Sequence, residues 1–352
     1  MTALMPHLRR QIAAAGPISV AEYMQTCLQH PEHGYYITRD PFGAAGDFTT
    51  APEVHQIFGE MIGLALAQAW LDRGGGPARL VELGPGRGTL MADILRATAR
   101  VPGFHEAIDI HLVETSPTLR TLQRETLAGH EIHWHASLAD VPDGPLLLLA
   151  NEFFDALPIR QFLRRGEGWA ERCVTSSGDG LAFALSRPAP QPVLDALFGP
   201  VAEDTLVEWC PAASPIMEEI TRRLRIGGAA LILDYGAWDG TGDTLQALKA
   251  QRPVDPLATP GEADLTAHVN FSHLARAASL PCGIEDQGAF LELLGITARA
   301  QALVARDPGV VAAHRRLTHP DEMGTLFKVL GLAATGAPLP GFRNFGPGDA
   351  RA

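Results

Sequence analysis

Residues 79–114 read RLVEL, then GPGRG, then TLMADILRATAR and, after a short connection, IDIHLVE. A short apolar run entering three glycines, then a helix-period segment, then a second short apolar run, is a strand–turn–helix–strand unit, and a connection of that length joins parallel strands. The rhythm continues. SPTLRTLQRETLAG, opened by Ser116 and Pro117, reads as a helix, LLLLA (146–150) as a strand, and SPIMEEITRRLRIGG as a capped helix stopped by glycines. AALILDYG (229–236) is a further strand, FSHLARAAS a helix, and CGIEDQ and TLFKVLG are closing strands. Such alternation predicts an α/β fold around a largely parallel sheet.

Two regions depart from it. Near the N-terminus the apolar spacing is helical in HLRRQIAAAG and ISVAEYMQTCLQ, with Ser19 a candidate N-cap, and a longer helix is expected from near Glu53 to the glycines at 74–76. Residues 30–53 between them are too rich in Gly and Pro for regular structure. IRQFLRR, WAERCVT and LAFALSR, separated by turn signals, predict a small antiparallel insertion over 156–210. The expected organisation is a helical N-terminal region with a lid loop (1–75), a core (76–155 and 211–340), the insertion on the substrate side, and a tail (341–352).

Size and charge narrow the function classes. With 352 residues, 46% of them hydrophobic, the chain can bury a large core. A net charge of −12 gives no broad cationic field for a phosphate backbone, so nucleic acid is not an expected partner. The four cysteines, Cys27, Cys173, Cys210 and Cys282, are widely spaced without a C-x-x-C pair, which argues against a zinc site or a disulfide framework; no metal is expected. No apolar run reaches the roughly 18–20 residues of a membrane span, and the first residues lack a signal-like apolar stretch. The expectation is a cytoplasmic, unprocessed protein without membrane insertion. Oligomeric state is left open, a homodimer included.

The glycine turn, VELGPGRGTL (81–90), carries the chemistry. Gly84, Gly86 and Gly88 permit a tight turn and close backbone approach to a ligand, and the helix behind offers free N–H groups. A dinucleotide fingerprint would want glycine where Thr89 stands, and no G-K-[ST] follows for a nucleotide phosphate loop. What is present is E-x-G-x-G-x-G led by Glu82, an arrangement that resembles motif I of class I S-adenosyl-L-methionine-dependent methyltransferases. That resemblance implies a Rossmann-like, mostly parallel sheet with an antiparallel closing strand. Glu114 ends the next strand at the edge where ligands of open α/β sheets sit, placed to accept ribose hydroxyls; its plainer role is a charge at the start of the following helix. Ser137 and Leu138, in HWHASLAD, stand where such methyltransferases contact adenine, and Asp140 reads as a solvated loop charge. The loop at 46–53 is expected to form a lid over the donor, with Asp47, Thr50 and Glu53 facing it.

LLLLANEFFDALP (146–158) ends a buried strand in Asn151, Glu152 and Asp155, residue types costly to bury unless a ligand uses them. If the segment curls into a helical turn, Glu152 and Asp155 share a face and can grip a cation. NEFFDALPIRQF, together with GDFTTAPEVHQIFGEMIG (46–63), ILDYG (232–236), DLTAHVNF (264–271), QGAFLELLGI (287–296) and MGTLFKVL (323–330), resembles the MidA family across nearly the whole chain. The resemblance implies a methyltransferase whose mitochondrial member symmetrically dimethylates an arginine of a complex I core subunit, so a protein substrate is expected. Guanidinium is a poor nucleophile while its charge is delocalised. Carboxylates on two of its nitrogens would leave the third richer in electrons, and Glu152 and Asp155 are the expected pair. Asp234, Asp264 and His268 are further candidates, each with a structural alternative, strand-end cap for Asp234 and satisfied core histidine for His268. A small-molecule N- or O-methyltransferase and a non-catalytic donor-binding assembly factor are the competing readings; Thr89 disfavours a nicotinamide enzyme.

Overall fold

The computed structural model describes residues 2–38, 50–335 and 338–346. The chain divides into two units, one of Thr49–Phe153, Pro215–Gly236 and Leu274–Ala352, the other of Met1–Phe48, Phe154–Ser214 and Ala237–His273.

The first unit is built on seven strands, β1 (Ala78–Leu83), β2 (Ile108–Val113), β3 (Ile132–His135), β4 (Leu146–Asn151), β5 (Gly228–Ala237), β6 (Cys282–Asp286) and β7 (Phe327–Ala333). Across the sheet they run β3-β2-β1-β4-β5-β7-β6. All pairs from β3 to β5 are parallel, whereas β7 is antiparallel to both neighbours. This is the expected class I methyltransferase sheet, the reversed strand inserted next to last. Strand β4 is buried at every position. Leu149 pairs with Glu82 on β1 and Leu231 on β5, so a sheet covered on both faces explains its unbroken apolar run.

Helix α1 (Ile57–Asp72), α2 (Thr89–Thr98) and α3 (Pro117–Thr126) complete the parts that position the site. Ser116 caps α3 as expected, its Oγ accepting from Leu119 N at 3.4 Å. The helix expected from Glu53 is instead two, Ala51–Val54 and α1, because His55 takes an extended backbone (φ −171°, ψ 144°) between them. Buried Glu60 on α1 accepts from Arg96 on α2 (2.9 Å) and from Arg299 (2.7 Å), pinning three helices together. Ser214 is not the cap expected for its helix, which already begins at Ala213; its hydroxyl meets His273 Nε2 at 2.9 Å.

The second unit contains helices Met5–Ala15 and Val20–Gln29 and a five-stranded antiparallel sheet. Ser19 caps the second helix in a capping box with Glu22. The sheet takes Arg160–Arg165, Gly168–Ser177 and Gly180–Leu185 from the expected insertion and adds Ile18–Ser19 and Leu206–Trp209. A three-stranded sheet of Gln246–Lys249, Arg252–Val254 and Asp264–Thr266 lies in the same unit. Residues 237–273, grouped with the core on sequence, thus belong with the hairpins, and α1, grouped with the N-terminal region, belongs with the parallel sheet.

Candidate active site

Strand β1 delivers Glu82 and then the glycine turn to the carboxyl edge of the sheet. Gly84 (φ +60°), Gly86 (φ +53°) and Gly88 (φ +86°) are all in the left-handed region that favours glycine. At Gly84 space is also closed: a Cβ there would come 2.9 Å from Cδ2 of Phe153, whose ring lies against the turn. Gly88 is the N-cap of α2 and, lacking a side chain, supplies no capping acceptor to the first N–H groups of that helix.

Two buried polar atoms at this edge have no hydrogen-bond partner among the described residues, Glu82 Oε2 and Asn151 Oδ1. They stand on adjacent strands, where Leu83 pairs with Ala150. Burial pushes the Glu82 carboxyl up to about 8, so it holds its proton at neutral pH. Unsatisfied polar atoms beside a left-handed glycine turn fit a polar ligand with donors and acceptors of its own, as the amino-acid end of S-adenosyl-L-methionine has.

Glu114 follows β2 directly and is buried, its Oε1 accepting from Ser116 N at 2.7 Å. Burial raises its carboxyl, and the N–H groups of Ser116 and Thr115, the Gln123 amide and the Arg120 charge oppose that without cancelling it. The contact with Ser116 is the helix-start role weighed above; the ribose role is compatible with it, since a carboxylate accepts at several positions. Two residues that sequence reasoning missed hold Glu114 in place. Arg120 Nε donates to Glu114 O (2.8 Å) and its Nη2 to His135 O (2.8 Å). Gln123, fully buried, donates from Nε2 to Gly86 O (2.7 Å) and, more distantly, to Glu114 Oε2 (3.4 Å), while its Oε1 accepts from Trp134 Nε1 (2.9 Å). The signal was present: Gln123 lies four residues after Leu119 on the buried face of an amphipathic helix, where an apolar residue is expected.

Ser137 starts a 3-10 turn, Leu138–Asp140, and Leu138 is buried. Asp140 is exposed, as expected of a solvated loop charge, and its Oδ2 also accepts from Ser137 N (3.0 Å) and Oγ (2.9 Å), a reciprocal cap on this turn.

The end of β4 corrects another expectation. Residues 152–155 form no helical turn, because Glu152 adopts φ +49° and the chain bends there. Its Oε1 accepts from Ala51 N (3.0 Å) and Asn151 Nδ2 (3.1 Å). Glu53 Oε1 accepts from Thr89 Oγ1 at 2.6 Å, so two of the expected donor residues meet each other, and segment 51–54 is tied both to the turn helix and to β4. Thr50 is buried and precedes that segment; Asp47 lies outside the described residues, as does the first half of the 46–53 loop expected to act as a lid. Asp234, wholly buried, accepts from Phe153 N (3.2 Å) and Tyr235 N (3.0 Å), matching the cap alternative.

Asp155, Asp264 and His268 belong to the second unit. There Tyr36 donates from its hydroxyl to Asp264 Oδ1 at 2.7 Å. Burial, then the charges of Asp264 and Asp155, push that phenol well above its ordinary range. Both aspartates are buried, and the Asp155 carbonyl accepts from Ala267 N at 3.0 Å. His268 donates from its backbone N to Thr244 Oγ1 (2.8 Å), and burial lowers its imidazole, keeping it neutral at pH 7. Among the described residues no group of three His, Cys, Asp or Glu could hold a metal ion, and no helix is long and apolar enough to cross a membrane.

A sheet of this order, with a left-handed glycine turn after β1 and a buried carboxylate after β2, defines a class I S-adenosyl-L-methionine-dependent methyltransferase. A family model of S-adenosyl-L-methionine-dependent methyltransferases matches residues 61–290, and the chain belongs to that family. It is 39% identical to the zebrafish (Danio rerio) mitochondrial protein arginine methyltransferase NDUFAF7, over 94% of this chain and 87% of the relative, and 38% identical to the human (Homo sapiens) protein, over 94% and 83%. A Burkholderia thailandensis protein crystallised bound to S-adenosyl-homocysteine superposes with a TM-score of 0.85 at 29% identity, covering 99% of this chain and 96% of that one.

Proposed function

We propose that this methyltransferase acts on an arginine side chain of a protein. The observation that carries the acceptor is the arginine methyltransferase activity in the names of relatives 38–39% identical over 94% of the chain. The donor supplies an electrophilic methyl carbon on a sulfonium. Gly84, Gly86 and Gly88 would admit its amino-acid end, with Glu82, Asn151 and Thr89 beside it; Glu114 would take the ribose, and Ser137 and Leu138 the adenine. Thr50 and Glu53 would border the donor from the segment tied to Thr89 and Glu152.

In the transfer the carbon–sulfur bond breaks as a nitrogen–carbon bond forms, and the methylated nitrogen loses a proton. Such a displacement asks the protein chiefly to align the reactants. Glu152 and Asp155 are proposed to hold the guanidinium, with Asp234, Asp264 and His268 as supporting residues. The finer substrate, a complex I subunit as in the mitochondrial member of the family, is part of the same proposal. So is a reducing, cytoplasmic setting, which the four free cysteines favour.

The test uses labelled S-adenosyl-L-methionine with cell protein and, separately, a small-molecule extract, followed by amino-acid analysis. Label in methylarginine, lost in Glu152→Ala and Asp155→Ala variants that still bind donor, supports the assignment. Label only in the extract moves the acceptor to a metabolite, and full turnover by both variants refutes the grip.

A further inference from the structure

We propose that Gln123 is a positioning residue for the methyl donor: a buried strut that holds the glycine turn and the ribose carboxylate Glu114 at one fixed separation. This rests on the reading of Glu114 as the ribose acceptor.

The orientation of the amide is dictated by its surroundings. An indole N–H can only donate, so Trp134 Nε1, at 2.9 Å, must face the amide oxygen. That turns both hydrogens of Nε2 outward, toward Gly86 O at 2.7 Å and Glu114 Oε2 at 3.4 Å. One side chain therefore bridges three elements: the turn after β1, the carboxylate after β2, and β3. The alternative flip would set the amide oxygen against a carbonyl and a carboxylate, so only one orientation satisfies all three neighbours. Gln123 has no accessible surface, and water cannot replace a lost contact without a cavity. The Gly86 carbonyl, in a left-handed turn, has its direction set by this bond. Glu114 keeps Oε1 on Ser116 N, so the strut restrains the other oxygen, and the carboxylate meets a ribose already oriented.

Isosteric replacement by glutamate separates this role from packing. Gln123→Glu sets a second carboxyl beside Glu114, and two such groups share one proton. With the shared proton the new side chain donates to Glu114 but has no second hydrogen for Gly86 O, so it restores one of the two donations of the amide; without it the two carboxylates repel. Gln123→Leu removes the contact at every pH.

The experiment is calorimetric titration of the full chain with S-adenosyl-homocysteine at pH 6 and pH 8, for wild type, Gln123→Glu, Gln123→Leu and Glu114→Ala, with melting temperatures alongside. The expected result is a loss of about tenfold or more in affinity for both Gln123 variants at pH 8, with partial recovery at pH 6 in Gln123→Glu alone. Wild-type affinity in both Gln123 variants, with Glu114→Ala weakened, overturns the strut and leaves the donor reading standing. Equal loss in both Gln123 variants at both pH values also overturns it, since packing alone then explains the effect. Wild-type affinity in Glu114→Ala overturns the ribose reading, and the strut with it.

Discussion

Replacing Glu82 by glutamine should stabilise the protein at alkaline pH and change it little at pH 5. The carboxyl is 2% exposed, one of its oxygens has no partner among the described residues, and burial raises it from 4.5 to about 8. Between those values the folded chain keeps a proton that the unfolded chain gives up, so stability falls as pH rises through the interval and levels off above about 8. At about 1.4 kcal/mol per pH unit, the difference between pH 5 and pH 8.5 is on the order of 4 kcal/mol, an upper figure because water entry lowers it. The amide that Glu82→Gln introduces is isosteric and never charged, so the variant lacks this slope. Melting temperatures across pH 5–8.5 measure it: at ~2 °C per kcal/mol the variant should gain several degrees on wild type at the alkaline end. A constant offset at all pH values would refute the reasoning, showing that Glu82 ionises in the folded state as it does in water. Donor binding offers a second view, because a sulfonium and an ammonium nearby favour the carboxylate. Wild type should then release protons at pH 7 on binding in excess of the variant.

Gly84→Ala combines a left-handed φ of +60° with a Cβ 2.9 Å from the Phe153 ring; a loss of ~1–3 kcal/mol in stability and a weakened donor affinity are expected by thermal melting and titration. Glu60→Gln should cost ~1–2 kcal/mol at neutral pH, discounted because Arg96 and Arg299 are each more than two-fifths exposed. Burial alone would raise the Glu60 carboxyl, but hydrogen bonds from Arg299 and Arg96 outweigh it and hold the group low. Its contribution is therefore present above 4.5 and is lost as pH falls through the depressed value, so denaturant midpoints of variant and wild type should converge in acid.

The glycine turn, the apolar run of β4 and the cap at Ser116 were legible because each rests on local chemistry: a backbone conformation, a doubly covered strand, a side-chain acceptor. The three-stranded sheet at 246–266 was not, since strands of three or four residues are too short to show alternation. The bend at Glu152 was missed because nothing in a non-glycine residue announces a positive φ; the neighbours Ala51 and Asn151, which hold its carboxylate, were set by tertiary structure. Gln123 was visible as a polar residue on an apolar helix face and could have been found by asking what it would bond.

The position of β7 bears on how the chain is made. Within the sheet path β6 pairs with β7, and β7 separates it from β5, so β6 joins the sheet only when the residues up to Ala333 have left the ribosome, while Cys282 at its start also bridges Gly346 still further along the chain. During synthesis the half-finished sheet shows the flank of β5 along the Phe327–Ala333 register to any neighbouring nascent chain, an exposure that ends only with the last strand.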